Sequence, residues 1–452
     1  LKEEKMNRKK IVSNIILSFV VALSSAIALP QTSSAAASRL GGKDRYETSA
    51  AVSKSGWTTS DYVILASGEN YADALCAAPL AKKHDAPILL TGSKTLNSTV
   101  KTEINRLKAT HVIEIGGKGA ISDSIENELK SSMSLNVTRI GGADRYETSA
   151  AVAKELGSFD KVVLAFGQGY ADALSIAPVA ASQGYPILLT SRNAVPKAVS
   201  EYITSKKASI TKSYIVGGNG VITDSSISSL PAPVRIGGSD RYATNVNVMT
   251  YFKSSIKFDK LYVVRGAGPK GNEFADALSA SSLAAKTSSP VILTYNTLSK
   301  TVEDFIKSNV GSTASIVPVG GSASVPDSLI SSLQKVVDEA EDEDEENPST
   351  GGGGGGGSSS DSNSHLISAV NSIKTIKGLN SAQQSVVDGI VSVVDKHSSD
   401  ADYDYQNDAE AAEVKSEYEA LSENDKNALK EAIQSTVSLL DQIALASEFG
   451  LL

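Results

Sequence analysis

The chain has 452 residues, 41% of them hydrophobic and 21% charged, an ordinary globular composition long enough for about three domains. Aromatics at 5% exclude sugar-stacking platforms as the main binding device, and a single cysteine, Cys76, excludes an intrachain disulfide. The net charge of −8 is polarised: residues 1–37 carry +3, residues 38–337 carry +7 (32 basic, 25 acidic) and residues 338–452 carry −18 (6 basic, 24 acidic). A cationic body before an acidic tail suits an anionic partner for the body.

Met6-Asn-Arg-Lys-Lys10 is a positively charged start, Ile11–Leu29 is apolar apart from Ser and Asn, and Ala35-Ala36-Ala37 offers small residues for cleavage before Ser38. This predicts a secretory signal peptide over residues 1–37, with translation starting at Met6. The competing reading is an uncleaved membrane anchor, which the alanine triplet disfavours. No second apolar run of spanning length follows, so no membrane contact is expected after cleavage.

The next three hundred residues repeat themselves. Arg39-Leu-Gly-Gly-Lys-Asp-Arg-Tyr-Glu-Thr-Ser-Ala50 returns as Arg139-Ile-Gly-Gly-Ala-Asp-Arg-Tyr-Glu-Thr-Ser-Ala150 and as Arg235-Ile-Gly-Gly-Ser-Asp-Arg-Tyr-Ala-Thr-Asn245. Three further blocks follow in the same order: Tyr71–Leu75, Tyr170–Leu174 and Phe274–Leu278; Pro87–Thr91, Pro186–Thr190 and Pro290–Thr294; then Ile115–Gly117, Val216–Gly218 and Val319–Gly321. In the first copy, Tyr62–Ala66, Pro87–Leu90 and His111–Ile115 are short apolar runs suited to strands buried on both faces. Ser98–Leu107 between them has helical spacing, and the alternation argues for βαβ units on a parallel sheet. Asp44 with Glu47, and Asp144 with Glu147, read as capping boxes; Asp240 faces Ala243 and lacks the partner. Asp73, Asp172 and Asp276 read as caps of a second helix, which Pro79 and Pro178 should kink or end.

These blocks resemble the cell wall binding repeat 2 family of clostridial type, whose members carry three tandem copies marked by the same motifs. The resemblance covers about two thirds of the chain. It implies an α/β fold of three tandem Toprim-like or Rossmann-like parallel-sheet repeats around a pseudo-threefold axis: repeat one over 38–137, repeat two over 138–233, repeat three over 234–337. It further implies non-covalent anchoring to an anionic secondary polymer of Gram-positive walls, a polysaccharide or teichoic-type chain, in a surface-layer or similar protein. The I-L-L stretch implicated in relatives falls on Ile88, Leu89 and Leu90, then Ile187, Leu188 and Leu189; repeat three departs with Val291, Ile292 and Leu293. On the residues themselves these nine read equally as strand core. The signature arginines can contact anionic groups or pair with the helix-opening aspartates.

Residues 338–364, an acidic run followed by Gly351–Gly357 and serines, read as an extended linker. Residues 365–452 read as a small all-α module, with capping boxes at Ser381–Gln384 and Ser422–Asp425 before apolar residues at helical spacing. Enzyme readings find little support. Gly266-Ala-Gly-Pro-Lys-Gly271 fits G-x-G-x-x-G, but no acidic residue ends the next strand where a ribose would need one. His84, His111, His365 and His397 are scattered and form no H-E-x-x-H, so neither a metal site nor a zinc amidase is expected. The expectation is a binding protein with no catalytic residues, cofactor or nucleic-acid partner; the alternative is a non-catalytic modifier of a peptidoglycan amidase.

Overall fold

The computed structural model describes residues 39–268, 273–340, 360–397 and 408–437, together with Leu445 and Phe449. The leader, the glycine run and all but the start of the acidic run lie outside the described residues. Repeat one comprises α1 (Arg45–Gly56), β1 (Tyr62–Ser67), a 3-10 turn (Ala74–Cys76) entering α2 (Ala77–Lys83), β2 (Ile88–Thr91), α3 (Ser98–Leu107), β3 (His111–Ile115), α4 (Asp123–Asn127) and β4 (Asn136–Ile140). Repeat two follows with α5 (Arg145–Leu156), β5 (Lys161–Phe166), α6 (Ala171–Gln183), β6 (Ile187–Thr190), α7 (Lys197–Ser205), β7 (Lys212–Val216), α8 (Asp224–Ile227) and β8 (Pro233–Ile236). Repeat three has α9 (Arg241–Tyr251), β9 (Lys260–Arg265), α10 (Ala275–Thr287), β10 (Val291–Thr294), α11 (Lys300–Asn309), β11 (Ser315–Pro318) and α12 (Asp327–Asp338). The strands and helix expected in repeat one are present to within a residue at each end.

The sheets run β2-β1-β3-β4, β6-β5-β7-β8 and β10-β9-β11, and every pairing is parallel. The fourth strand is borrowed. Arg139-Ile140 opens the second signature, yet it closes the first sheet, with Ile115 opposite Ile140; Arg235-Ile236 likewise closes the second. Strands β4 and β8 therefore run across the joins at 137/138 and 233/234. The third sheet is completed from the other end of the body, where Leu40 bridges Val319 in parallel. Each repeat hands its first residues to its neighbour, and the ring closes.

Helices α2, α6 and α10 each pack against the other two, and each also meets the signature helix of the next repeat: α2 on α5, α6 on α9, α10 on α1. Their composition permits this. Ala77, Ala78 and Ala81, Ala177, Ala180 and Ala181, and Ala280, Ala284 and Ala285 are all buried, and small side chains let helix axes approach closely. One apolar core runs through all three repeats, with Leu75, Ile176 and Leu278 among its members. Pro178 sits inside α6 without ending it, and Pro79 sits inside α2, so neither proline acts as a stop. Burial of the surrounding helix outweighs the one lost hydrogen bond.

The C-terminal helices α13 (Ser360–Ile373), α14 (Ser381–His397), α15 (Ala409–Ala420) and α16 (Glu423–Thr436) share a separate core that includes Val386, Ile390, Val414, Leu429 and Ile433. Helix α13 begins before residue 365, inside the stretch read as linker. The cap of α14 is one residue earlier than expected: Asn380 and Gln383 exchange backbone–side-chain bonds of 2.9 Å each. Ser422 caps α16 as expected, accepting from Asp425 N. Among the described residues no helix is long and apolar enough to cross a membrane.

Candidate functional site

All nine residues of the I-L-L stretches are buried, none more than 1% exposed. They form β2, β6 and β10, the outermost strands of their sheets. An edge strand carries unpaired backbone groups, and here the signature helix meets several of them, while Ser282 of α10 accepts from Ile88 N at 3.4 Å. Ser49 accepts from Leu90 N at 3.2 Å and Ser149 from Leu189 N at 3.1 Å. In repeat three Asn245 does both jobs, accepting from Leu293 N and donating to the Val291 carbonyl, each at 2.9 Å. In the folded chain all nine side chains face the core rather than the surface.

The rest of the signature builds the seam between repeats. Arg39 donates to the Gly320 carbonyl at 2.9 Å and pairs with Asp327; Arg235 does the same with Gly217 and Asp224. Arg139 bonds the Gly116 carbonyl and Glu126, and its Nη2 also lies 2.7 Å from Glu114 Oε2. Glu114 is fully buried and that approach is a Coulomb contact without directed hydrogen-bond geometry. Burial pushes its carboxyl up to about 7, against the pull of Arg139. The first arginine of each signature is thus committed to an acid on the helix after the third strand, and not to Asp44 or Asp73. Gly41, Gly141 and Gly237 lie where a Cβ would come within 2.6–2.8 Å of Gly320, Gly116 and Gly217 backbone. Only glycine allows the two backbone segments to approach this closely.

Asp44, Asp144 and Asp240 cap their helices, each accepting from two backbone N–H groups. Glu47 and Glu147 reach one residue further back than a capping box does, to the N–H of Lys43 and Ala143. Asp73, Asp172 and Asp276 are not caps. Asp73 makes no capping bond, and Asp172 and Asp276 lie inside the first turn, behind Tyr170 and Phe274. Each instead has its Oδ2 near the glycine turn of its own repeat, where a Cβ on Gly116, Gly217 or Gly320 would lie within 2.8 Å of it. All three of those glycines have positive φ, from 111° to 120°.

The second arginine of each signature spans the seam. Arg45, Arg145 and Arg241 donate to the carbonyls of Gly68, Gly167 and Gly266 in their own repeats. Their guanidinium groups lie over rings of the preceding repeat: Arg45 over Phe274, Arg145 over Tyr71 and Arg241 over Tyr170, at 5.5–5.9 Å. The three rings meet one another at 5.5–6.3 Å, marking the axis. The glycine at 266, which began the apparent dinucleotide motif, is the counterpart of Gly68 and Gly167; residues 269–272 of that motif lie outside the described residues.

Clefts open at two of these seams, at the C-terminal ends of the strands. One of ≈ 530 Å³ between repeats two and three is lined by Tyr71, Tyr170, Asp172, Gly218, Ser239 and Arg241. Another of ≈ 440 Å³ between repeats three and one is lined by Lys43, Arg45, Arg265, Asp276, Gly321 and Ser322. Burial raises the carboxyls of Asp172 and Asp276 to about 6, with Arg241 opposing it at the first and Ser324 and Arg45 at the second. The clefts are lined by both signs of charge: Arg241 beside Asp172 and Asp240 in the first, and Lys43, Arg45 and Arg265 beside Asp44, Glu273 and Asp276 in the second. Among the described residues no cluster of His, Cys, Asp or Glu has the arrangement of a metal site. Cys76 is buried, and burial holds its thiol well above the ordinary range. The sequence flagged the arginines and aspartates but not Tyr71, Tyr170 and Phe274 as their partners. The alternation of Tyr and Phe at one motif position was the available signal.

A sequence profile of the family described as Cell wall binding domain 2 (CWB2) matches residues 39–126, 139–227 and 235–330. The chain is 37% identical over 256 residues to N-acetylmuramoyl-L-alanine amidase LytC of Bacillus subtilis, covering 57% of this chain and 50% of that protein. It is 35% identical over 302 residues to the Amidase enhancer of the same organism, covering 64% of this chain and 40% of that one. The chain thus spans half or less of the length of these curated relatives. Among solved structures, Cwp6 from Clostridium difficile superposes with a TM-score of 0.61 at 29% identity, over 68% of this chain and 48% of Cwp6. Cwp8 from the same organism gives 0.60 at 28% identity, over 67% and 52%.

Proposed function

The chain belongs to the Cell wall binding domain 2 family, and from that premise we propose that residues 38–337 hold a secreted protein on the Gram-positive wall by gripping an anionic secondary polymer in the seam clefts. The observation that carries this reading is the repeated one: an arginine fixed by a glycine carbonyl and an aromatic ring, recurring at each seam. Weak sites on one rigid body multiply their affinities when a long polymer engages more than one. Exposed cations alone would be screened over ~8 Å at physiological ionic strength, so shaped clefts should weaken in salt without releasing the wall. The test is sedimentation with intact walls and with walls stripped of their secondary polymer. Binding that survives stripping, or that moderate salt abolishes while the fold stays intact, overturns the proposal. Truncation after Asp338 should leave binding intact, because the −18 tail is repelled by an anionic polymer.

A second reading has its own support in the similarity to a protein named Amidase enhancer. In that reading the body carries no catalysis and changes how an amidase works on the wall. Assaying wall hydrolysis by an amidase with and without the chain separates the two: an anchor alone leaves the rate per bound amidase unchanged.

A further inference from the structure

The three seams are chemically unequal, and the difference lies at one strand end. In the sheet register the threonine after each I-L-L stretch faces Ser67 in repeat one, Phe166 in repeat two and Arg265 in repeat three. The residue following that threonine is Gly92, Ser191 and Tyr295 in turn. Tyr295 is 37% exposed, the large hydrophobic side chain that stands out in solvent among the described residues. The Arg265 guanidinium lies 4.9 Å from its ring centroid. Arg265 is held by the carbonyls of Ala267 at 2.7 Å and Ala323 at 3.0 Å, and it also lines the cleft that contains Arg45.

Resting on the reading of the clefts as polymer sites, we propose that Tyr295 and Arg265 form a saccharide subsite present in the third repeat alone, which stacks a sugar ring carrying an anionic substituent. The tyrosine presents an apolar face to the C–H face of a pyranose. The guanidinium, already fixed by two carbonyls, meets the anionic group without losing side-chain freedom. The glycine and serine at the matching positions of the other repeats offer no ring there. The third repeat therefore chooses among polymers, while the three seam arginines supply the common grip.

The test uses the full chain and the secondary polymer released from walls, titrated calorimetrically, with the fold of each variant checked by circular dichroism. Tyr295→Ala should weaken binding about three- to tenfold and Tyr295→Phe should stay within about twofold, since stacking needs the face and not the hydroxyl. Ser191→Ala should bind like the native chain. Polymer treated with hydrofluoric acid to remove phosphate, or amidated to neutralise carboxylates, identifies the anion: one treatment should abolish the effect of Arg265→Lys and leave that of Tyr295→Ala. If Tyr295→Ala binds like the native chain while Arg241→Lys weakens binding, the subsite is refuted and the seam clefts stand. If the native chain does not bind the polymer, the anchoring reading falls and the subsite with it.

Discussion

Leu40 N donates to the Pro318 carbonyl and Gly320 N donates to the Leu40 carbonyl, each at 2.8 Å, so residues from opposite ends of the body form the last rung of the third sheet. Beside this rung a Cβ on Gly41 would lie 2.6 Å from the Gly320 oxygen, and backbone cannot yield there as a flexible side chain could. Gly41→Val should therefore cost about 2–4 kcal/mol in urea unfolding. Gly119→Ala, where a Cβ meets nothing within 4 Å, should stay within about 0.5 kcal/mol. Equal effects would mean that ring closure contributes nothing to stability.

A single repeat should not fold alone. Residues 138–233 lack most of β8 and would expose α6 on the faces it uses against α2, α9 and α10. Uncovering apolar area costs ~25 cal/mol per Å². The fragment should show no cooperative thermal transition, whereas the whole body should melt in one step. A fragment as stable as the triplet would contradict the shared core.

Ser149→Ala leaves the Leu189 N–H buried without a partner, a loss of about 1–3 kcal/mol. Asn245→Ala should cost more than Ser149→Ala, because it abandons both the Leu293 N–H and the Val291 carbonyl. Chemical denaturation of the two variants gives the order directly; the reverse order would show that the edge strand finds other partners.

Three carboxyls should each favour the folded body on mild acidification, with Glu126, held low by Lys130 and Arg139, opposing them. Folding raises Glu114 from an ordinary 4.5 to about 7, and Asp172 and Asp276 from 3.8 to about 6. Groups raised in the folded state bind protons more tightly there, so their contribution is complete below about pH 4 and is lost as pH rises through 6–7. Glu114→Gln should remove part of this slope, on the order of 2 kcal/mol between pH 8 and 4.5. A variant with the native pH profile would show that Glu114 titrates normally.

Changing the seam arginines to lysine keeps the charge but forfeits the stacking and the fixed fork. Single changes at Arg45, Arg145 or Arg241 should weaken polymer binding several-fold, and pairs should multiply those losses. Native affinity in the triple variant would leave bare charge as the anchor.

The sequence alone determined the three copies, the strand and helix types, and the Asp44-type caps, because these depend on periodicity and on contacts a few residues apart. It exposed the signature as a unit without revealing what the unit does. Only the folded chain decided that Arg139-Ile140 closes the sheet of the repeat before it, that Ser49, Ser149 and Asn245 finish the edge strands, and that Arg45 stacks on Phe274 from the far end of the body. The same is true of the I-L-L stretches: an apolar run reads alike whether it faces a ligand or a core, until the layers on both sides are known. Asp172 and Asp276 look like caps from their place before a helical run, yet the helix begins earlier, once Tyr170 and Phe274 are drawn to the axis by rings from the other repeats. Local chemistry sets the pieces; which groups meet at a seam is set by closure of the ring, a constraint that no window of sequence contains.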